Sequence, residues 1–356
     1  MKKSQLILAL LLPVQILVIS LLAGNELLIE TWYSHGIYPH ISQIMRWSLG
    51  IIPFSFGDVL YIIFGIFIIR WVIKRFKTRF KNPKNWIVEL FATLSVIYFC
   101  FHFFWGFNYY RLPLHQSLKI DNTYTTEELV LLTKTLIKQS NKIQFEITKD
   151  DSAKVEIPYS KSQIFEHTLE GYAAIKNDFP ELTYTGHSLK RSLFSWPLTY
   201  MGFNGYLNPF TGEAQVNTTI VPFKIPTTAS HEIGHQLGFA KENEANFIAC
   251  LVTINHPDKY FRYCGFTFAL RYCLGELLRR DQKKAEKLIQ TIHPGILKNY
   301  KEVEDFWLHH QNPFEPIFQS FYNQFLIVNN QKKGLKSYSY VVALLVNYYE
   351  DTENAF

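Results

Sequence analysis

Cysteine is scarce: four residues in 356, too few to staple a disulfide scaffold. Charge is scarce as well, with Asp, Glu, Lys and Arg at 19% against 48% hydrophobic residues, the reverse of the balance that keeps chains disordered. Seventeen glycines and fifteen prolines exclude collagen-like and low-complexity classes. No glycine cluster has P-loop or dinucleotide spacing, and no Ser or Cys nucleophile signature is present. The net charge of +6 would suit a nucleic-acid binder if it lay on a folded polar domain. It does not, because residues 1–106 hold ten Lys/Arg and four acids while residues 107–356 hold 26 of each. Nucleic acid is not an expected partner.

What the first 106 residues have instead is apolar runs. Residues 6–23 carry no charge, residues 59–73 (extended upstream by 51–57) carry one Arg, and residues 86–107 carry one acid, Glu89. A helix crossing the hydrocarbon core needs about 20 mostly apolar residues, so spans are expected at about 5–23, 53–73 and 86–106, with the lipid bilayer as partner. Trp71, Trp86 and Trp105 fall near the ends of these runs, where aromatic belts form. Lys2 and Lys3 also allow a cleaved signal peptide, but the first run exceeds the roughly 7–15 residues of such a segment and no A-x-A site follows. The connection at 70–84 has seven Lys/Arg and no acid, whereas 24–58 has one Arg and three acids. The positive-inside rule then puts the N-terminus and the 70–84 connection in the cytoplasm, and residues 107–356 outside it. The basic excess reflects topology.

Residues 107–356 contain no further spanning run and read as one extracytoplasmic domain. Thr125 and Glu128 form a capping box for a helix to about Gln139. Strand-like stretches follow over 145–157, then a helix over 162–177, a strand within 213–220, helices over 265–292 and an amphipathic stretch at 338–349. Helices dominate and a few strands precede the central helix, so the expected class is α+β.

The chemistry sits at residues 231–235, which read H-E-x-x-H. On a helix, His231 and His235 share one face about 6 Å apart, so both imidazoles reach one Zn²⁺. Glu232 lies beside that face, placed to take a proton from a metal-bound water whose pKa falls toward about 7. Pro226 opens the helix and Gly238 stops it. A catalytic zinc usually has a third protein ligand. The metzincin pattern would place it at 241, which is Lys, and requires a downstream methionine; the three methionines are Met1, Met45 and Met201. That reading fails.

The following segment resembles the second helix of gluzincins, E-x-x-x-D/N, which implies Glu242 as third ligand and Asn246 as the residue orienting a ligand histidine. Glu244 is the alternative ligand. Residues two apart on a helix point about 200° apart, so only one of the two reaches the metal. Glu242 shares its face with the small Ala245 and Ala249, Glu244 with Phe247 and Ile248, and this favours Glu242. Zincins commonly stabilise the oxyanion with a residue beside the metal; Tyr263 is the candidate, with Arg262 and His256 nearby. The strand at 215–220 is a candidate edge for pairing with extended peptide.

Across nearly its whole length the sequence resembles a family of bacterial membrane proteins, the domain of unknown function 3810 family. The resemblance is carried by Phe56, Gly57 and Asp58, by residues 105–111 (WGFNYYR), 192–195 (SLFS) and 205–214 (GYLNPFTGEA), and by the H-E-x-x-H and ENEANF segments. It implies a zincin-like domain behind membrane helices and names no substrate. The expected function is a membrane-anchored zinc metallopeptidase of the inner membrane acting on a peptide or protein. A zinc-binding scaffold without turnover and a hydrolase of a non-peptide envelope component are the alternatives.

Overall fold

The computed structural model describes residues 2–331 and 338–349. Among the described residues, three helices are long and apolar enough to cross a membrane: α1 (Lys3–Ala23), α3 (Phe56–Lys77) and α4 (Pro83–Phe104), with α2 (Tyr38–Gly50) between the first two. They fit a membrane protein and lie within a few residues of the expected spans. Their ends follow from local chemistry. Ser55 caps α3 by accepting from Asp58 N, while Lys74, Arg75 and Lys77 occupy its last turn, where cations complement the helix dipole. Pro83 opens α4, as proline's missing N–H allows. Apolar side chains such as Leu10, Leu17, Ile66 and Phe67 stand exposed along these helices, a surface suited to lipid rather than water.

The connection from 24 to 55 is not a loose loop. A π-helical stretch, Ile29–Ile37, leads into α2, and both pack on the domain that follows α4. Glu30 and Arg111, each nearly fully buried, form a two-pronged pair at 2.7 and 3.1 Å, and the Arg111 guanidinium lies 4.3 Å from the Phe239 ring centroid. The second span is bolted down at its start. Glu213 accepts from Phe56 N (3.1 Å) and Gly57 N, so its carboxylate occupies the positive end of α3. Asp58 accepts from Leu193 N, Ser192 Oγ and Tyr206 OH. Gly57 admits this approach because a Cβ there would lie 2.4 Å from Asn208 Nδ2.

Beyond α4 the chain is mostly helical. In order come α5 (Thr126–Thr148), α6 (Lys161–Ile175), α7 (Ser195–Met201), α8 (Ile225–Gln236), α9 (Glu242–Ile254), α10 (Lys259–Arg280), α11 (Gln282–Ile289), α12 (Pro294–His310), α13 (Glu315–Val328) and α14 (Tyr338–Tyr349). The main core lies among α5, α6, α8, α9, α10 and α14, with Leu129, Leu136, Tyr172, Ile233, Phe247, Ile248 and Leu277 buried. The Thr125–Glu128 capping box is present, but α5 runs past Gln139 to Thr148. Residues 145–157 are therefore helix and then irregular chain, not strands. Ile143 packs inward from α5, and the Gln144 amide and Asn299 hold the backbone after it, contacts that no local pattern shows.

One small sheet completes the domain, with β1 (Leu189–Arg191), β3 (Ala214–Val216) and β2 (Gly205–Leu207) in the order β1-β3-β2. β3 pairs parallel with β1 and antiparallel with β2. The strand expected within 213–220 is thus the central one, with both edges hydrogen-bonded. It cannot take a peptide by strand addition; the outer strands β1 and β2 each keep one edge without a neighbouring strand among the described residues, and β2 is the one that adjoins Glu232.

Removing one partner of a buried ion pair leaves an uncompensated charge. Arg111→Ala is expected to lower stability by about 3–5 kcal/mol, and Gly57→Ala, which overpacks the α3 junction, by about 1–3 kcal/mol. Thermal unfolding of the detergent-purified variants beside wild type measures both.

Candidate metal centre

Helix α8 carries Pro226 in its first turn, where no N–H is needed, and ends before Gly238, whose φ of +93° belongs to the left-handed region. The last carbonyls of a helix have no partner within it. Here side chains from the membrane-proximal segments supply them. Trp105 Nε1 donates to His235 O (3.1 Å), Tyr38 OH and Ser42 Oγ to Gln236 O (2.8 and 2.7 Å), and Arg111 Nη1 to Gly238 O (3.2 Å). The Gln236 side chain reaches the other way, donating to Ser188 O and Gly212 O beside the sheet.

This frame holds two imidazoles 4.6 Å apart between ring centroids, nearly perpendicular. His235 Nδ1 lies 2.7 Å from Phe239 O, an atom that only accepts, so Nδ1 carries a proton. His231 Nδ1 lies 3.0 Å from Asn246 Oδ1 and is set the same way. Both Nε2 atoms then turn to one carboxylate on the neighbouring helix. Glu242 Oε2 is 3.3 Å from His231 Nε2, and Glu242 Oε1 is 3.5 Å from His235 Nε2. Donor atoms of His231, Glu232 and His235 gather within 4.8 Å. Two imidazole nitrogens and a carboxylate are a donor set that suits a small divalent cation, and His231, His235 and Glu242 are the residues that could hold one.

Glu232 fits the same arrangement. It is nearly fully buried, and its Oε2 finds no hydrogen-bond partner among the described residues. Gly205 of β2 backs directly onto it, since a Cβ there would stand 2.7 Å from Glu232 Oε1. Burial pushes the Glu232 carboxyl up to about 7, against the opposing pull of the two imidazoles. Burial acts the other way on His235, yet the facing Glu242 carboxylate outweighs it and raises the imidazole to about 9. Glu242 is held well below the usual carboxylate range: burial opposes this, but His231 and His235 prevail.

The other sequence candidates lie elsewhere. Glu244, one helix face away, accepts from Leu114 N at 2.9 Å and sits 3.7 Å from Lys241 Nζ, which makes it a tie to the chain after α4 and not part of the histidine group. Tyr263, expected beside the metal, lies in the core instead. Its hydroxyl donates to Asn299 at 2.8 Å and its ring packs on Phe223 in the core, because its face of α10 points inward. Arg262 binds the carbonyls of His256 and Pro257, and His256 bonds His167 O and Asp258 N; both are structural. The tyrosine that does meet the site is Tyr322 of α13, whose hydroxyl donates to Glu242 Oε1 at 2.5 Å. It comes 80 residues after Glu242 in a segment with no motif, one of 21 tyrosines. Its helix mixes apolar residues with Gln319, Ser320, Asn323 and Gln324, so no local pattern singles the hydroxyl out.

A family model described as a protein of unknown function (DUF3810) matches residues 33–346. No curated protein and no solved structure matches the chain.

The paired charges make a stability prediction with a definite sign. His235, raised above its ordinary value of 6.5, stabilises the folded chain below that value and ceases to as pH rises through about 9. Glu242, lowered from 4.5, stabilises above that value and ceases to in acid. Glu232, raised from 4.5 to about 7, loses its contribution as pH rises through that value. Chelator-treated protein is therefore expected to melt highest toward the acid limit of this range and progressively lower through pH 9. Glu242→Gln should flatten the alkaline limb in the same thermal scans.

Proposed function

The chain belongs to the DUF3810 family of proteins of unknown function, and from that premise we propose that it is a membrane-anchored zinc metallopeptidase with a gluzincin-type, zincin-like domain. One observation carries the reading: the Glu242 carboxylate, arriving from a second helix, faces both Nε2 atoms of the H-E-x-x-H pair while Glu232 lies buried and unpartnered beside them. His231, His235 and Glu242 would hold the ion. Bound zinc lowers the pKa of water and polarises a carbonyl.

The remaining work falls to the protein. Asn246 and Phe239 O fix the tautomer and aim of the imidazoles, an outer support that commonly governs metal affinity. Glu232 takes the proton of the attacking water and delivers it to the leaving nitrogen, a task suited to a carboxyl poised near neutrality by burial. The open edge of β2, immediately next to Glu232 through Gly205, aligns an extended peptide by backbone hydrogen bonds. The positive-inside distribution supports a domain outside the cytoplasm of a bacterial inner membrane.

A second reading, a zinc-binding scaffold without turnover, draws on the closed state of the group, in which Tyr322 OH occupies Glu242 and Glu232 is buried. Metal analysis and hydrolysis separate the two. Purified wild type is expected to hold about one zinc per chain by mass spectrometry, kept by Glu244→Ala and lost by Glu242→Ala. Asn246→Ala should weaken zinc about 10- to 100-fold. Glu232→Gln should keep the metal and lose peptide-library hydrolysis by about 10²- to 10⁴-fold. Undiminished hydrolysis by Glu232→Gln removes Glu232 as base, and zinc retained with no hydrolysis in any wild-type preparation favours the scaffold.

A further inference from the structure

The histidine group is one residue away from contacts to two of the spans. Next to Gly205, which backs Glu232, Tyr206 bonds Asp58 in the first turn of α3 and stacks on Tyr61. On the other side, the His235 carbonyl accepts from Trp105, the residue that follows α4. The group therefore lies at the level where both spans end. Across it runs α13. One face of this helix points in: Tyr322 to Glu242, its ring 5.2 Å from Phe203, and Leu326 fully buried.

The face flanking it is unlike a water-facing surface. Phe314, Ile317, Phe318, Phe321, Phe325 and Val328 stand 37–76% exposed. Their spacing of three, four and seven makes one continuous stripe, and Glu315 is the only charged residue in the helix. Both ends of the stripe are tied to the membrane helices. Phe325 rests on Phe101 in the last turn of α4, ring centroids 6.1 Å apart. At the other end α13 packs on α7, whose Trp196 is 68% exposed, and Leu193 just before α7 is 53% exposed with its N–H bonded to Asp58 of α3. An apolar stripe continuous with two spans, aromatic and nearly free of charge, matches an element lying in the membrane interface.

We infer that α13, together with Trp196 and Leu193, is seated in the headgroup region of the bilayer and covers the histidine group from there, so that the site opens at the membrane surface. The substrate class follows, and this part rests on the peptidase reading above: peptide segments held against the bilayer by an anchor of their own. They reach the site only when α13 lifts and Tyr322 leaves Glu242.

Nitroxide labels test the seat directly. Full-length protein carrying Cys100→Ser with Phe321→Cys, Ile317→Cys or Leu131→Cys is reconstituted into phosphatidylethanolamine–phosphatidylglycerol vesicles. All three label sites are at least half exposed, so labelling leaves the fold intact, and Leu131 lies on α5 away from the stripe. Labels at 317 and 321 are expected to collide with lipid-dissolved oxygen several-fold more, relative to an aqueous nickel chelate, than the label at 131. Ratios equal to that at 131 place the stripe in water and overturn the inference. Labels shielded from both reagents indicate a protein partner and overturn it too. A second arm compares one peptide with and without an acyl anchor, added to the same vesicles. Preferential cleavage of the anchored form, by at least about tenfold, supports entry at the membrane surface. Equal cleavage overturns it. No cleavage of either, with the labels in lipid, defeats the peptidase reading and leaves the membrane seat standing.

Discussion

The two parts of the chain meet at the C-terminal end of one helix. Backbone N–H groups of Leu237, Gly238 and Phe239 turn back onto the last carbonyls of α8, and a helix end buried without partners is costly. Tyr38 and Ser42 of α2, with Trp105 and Arg111 of the segment after α4, add side-chain donors to the carbonyls of His235, Gln236 and Gly238 from two membrane-proximal stretches. The guanidinium of Arg111 also answers the negative end of the helix dipole, and Glu30 balances its charge. The arrangement positions His235 through these carbonyls and through the Trp105 ring, edge-on to its imidazole at 6.2 Å between centroids, leaving the ring nitrogens of both histidines to Asn246, Phe239 O and Glu242. Membrane segment and helical domain are consequently parts of one structure, joined at the helix that carries the candidate chemistry.

Much of this was legible beforehand, for identifiable reasons. Apolar runs of span length carry their own signal, since about 20 mostly apolar residues is what a helix needs to cross the hydrocarbon core. Helical periodicity separates Glu242 from Glu244 because residues two apart cannot face the same point, and the structure places only Glu242 against the imidazoles. What escaped was everything decided by distant contacts. Tyr263 looked available because it follows the two central helices, but its direction depends on how α10 packs. The strand at 214–216 looked like an edge because it adjoins α8, yet β1 and β2 flank it from either side. Residues 145–148 read as strand because branched and aromatic residues favour both strands and buried helix faces.

Glu232 and Glu242 show how two carboxyls a few residues apart take opposite characters. Both are withdrawn from water, which favours the neutral acid. Glu242 has two imidazoles and the Tyr322 hydroxyl to hold its charge; Glu232 has a bare glycine behind it and an oxygen without a partner. One is a fixed anion. The other is free to gain or lose a proton.

The capping of α3 by Glu213 also orders events during synthesis. Phe56 and Gly57 donate to a carboxylate that lies 157 and 156 residues further along the chain, and Asp58 waits for Leu193, 135 residues on. When the second span enters the bilayer, none of these partners has been made. Long-range contacts form late because the loop they close must first be ordered. The contacts that fix the start of α3 therefore exist only once the chain through Glu213 has been made, and they tie its final position to the folding of the domain beyond it. A chain truncated before Glu213 would keep its three spans and lose the fixed position of one of them.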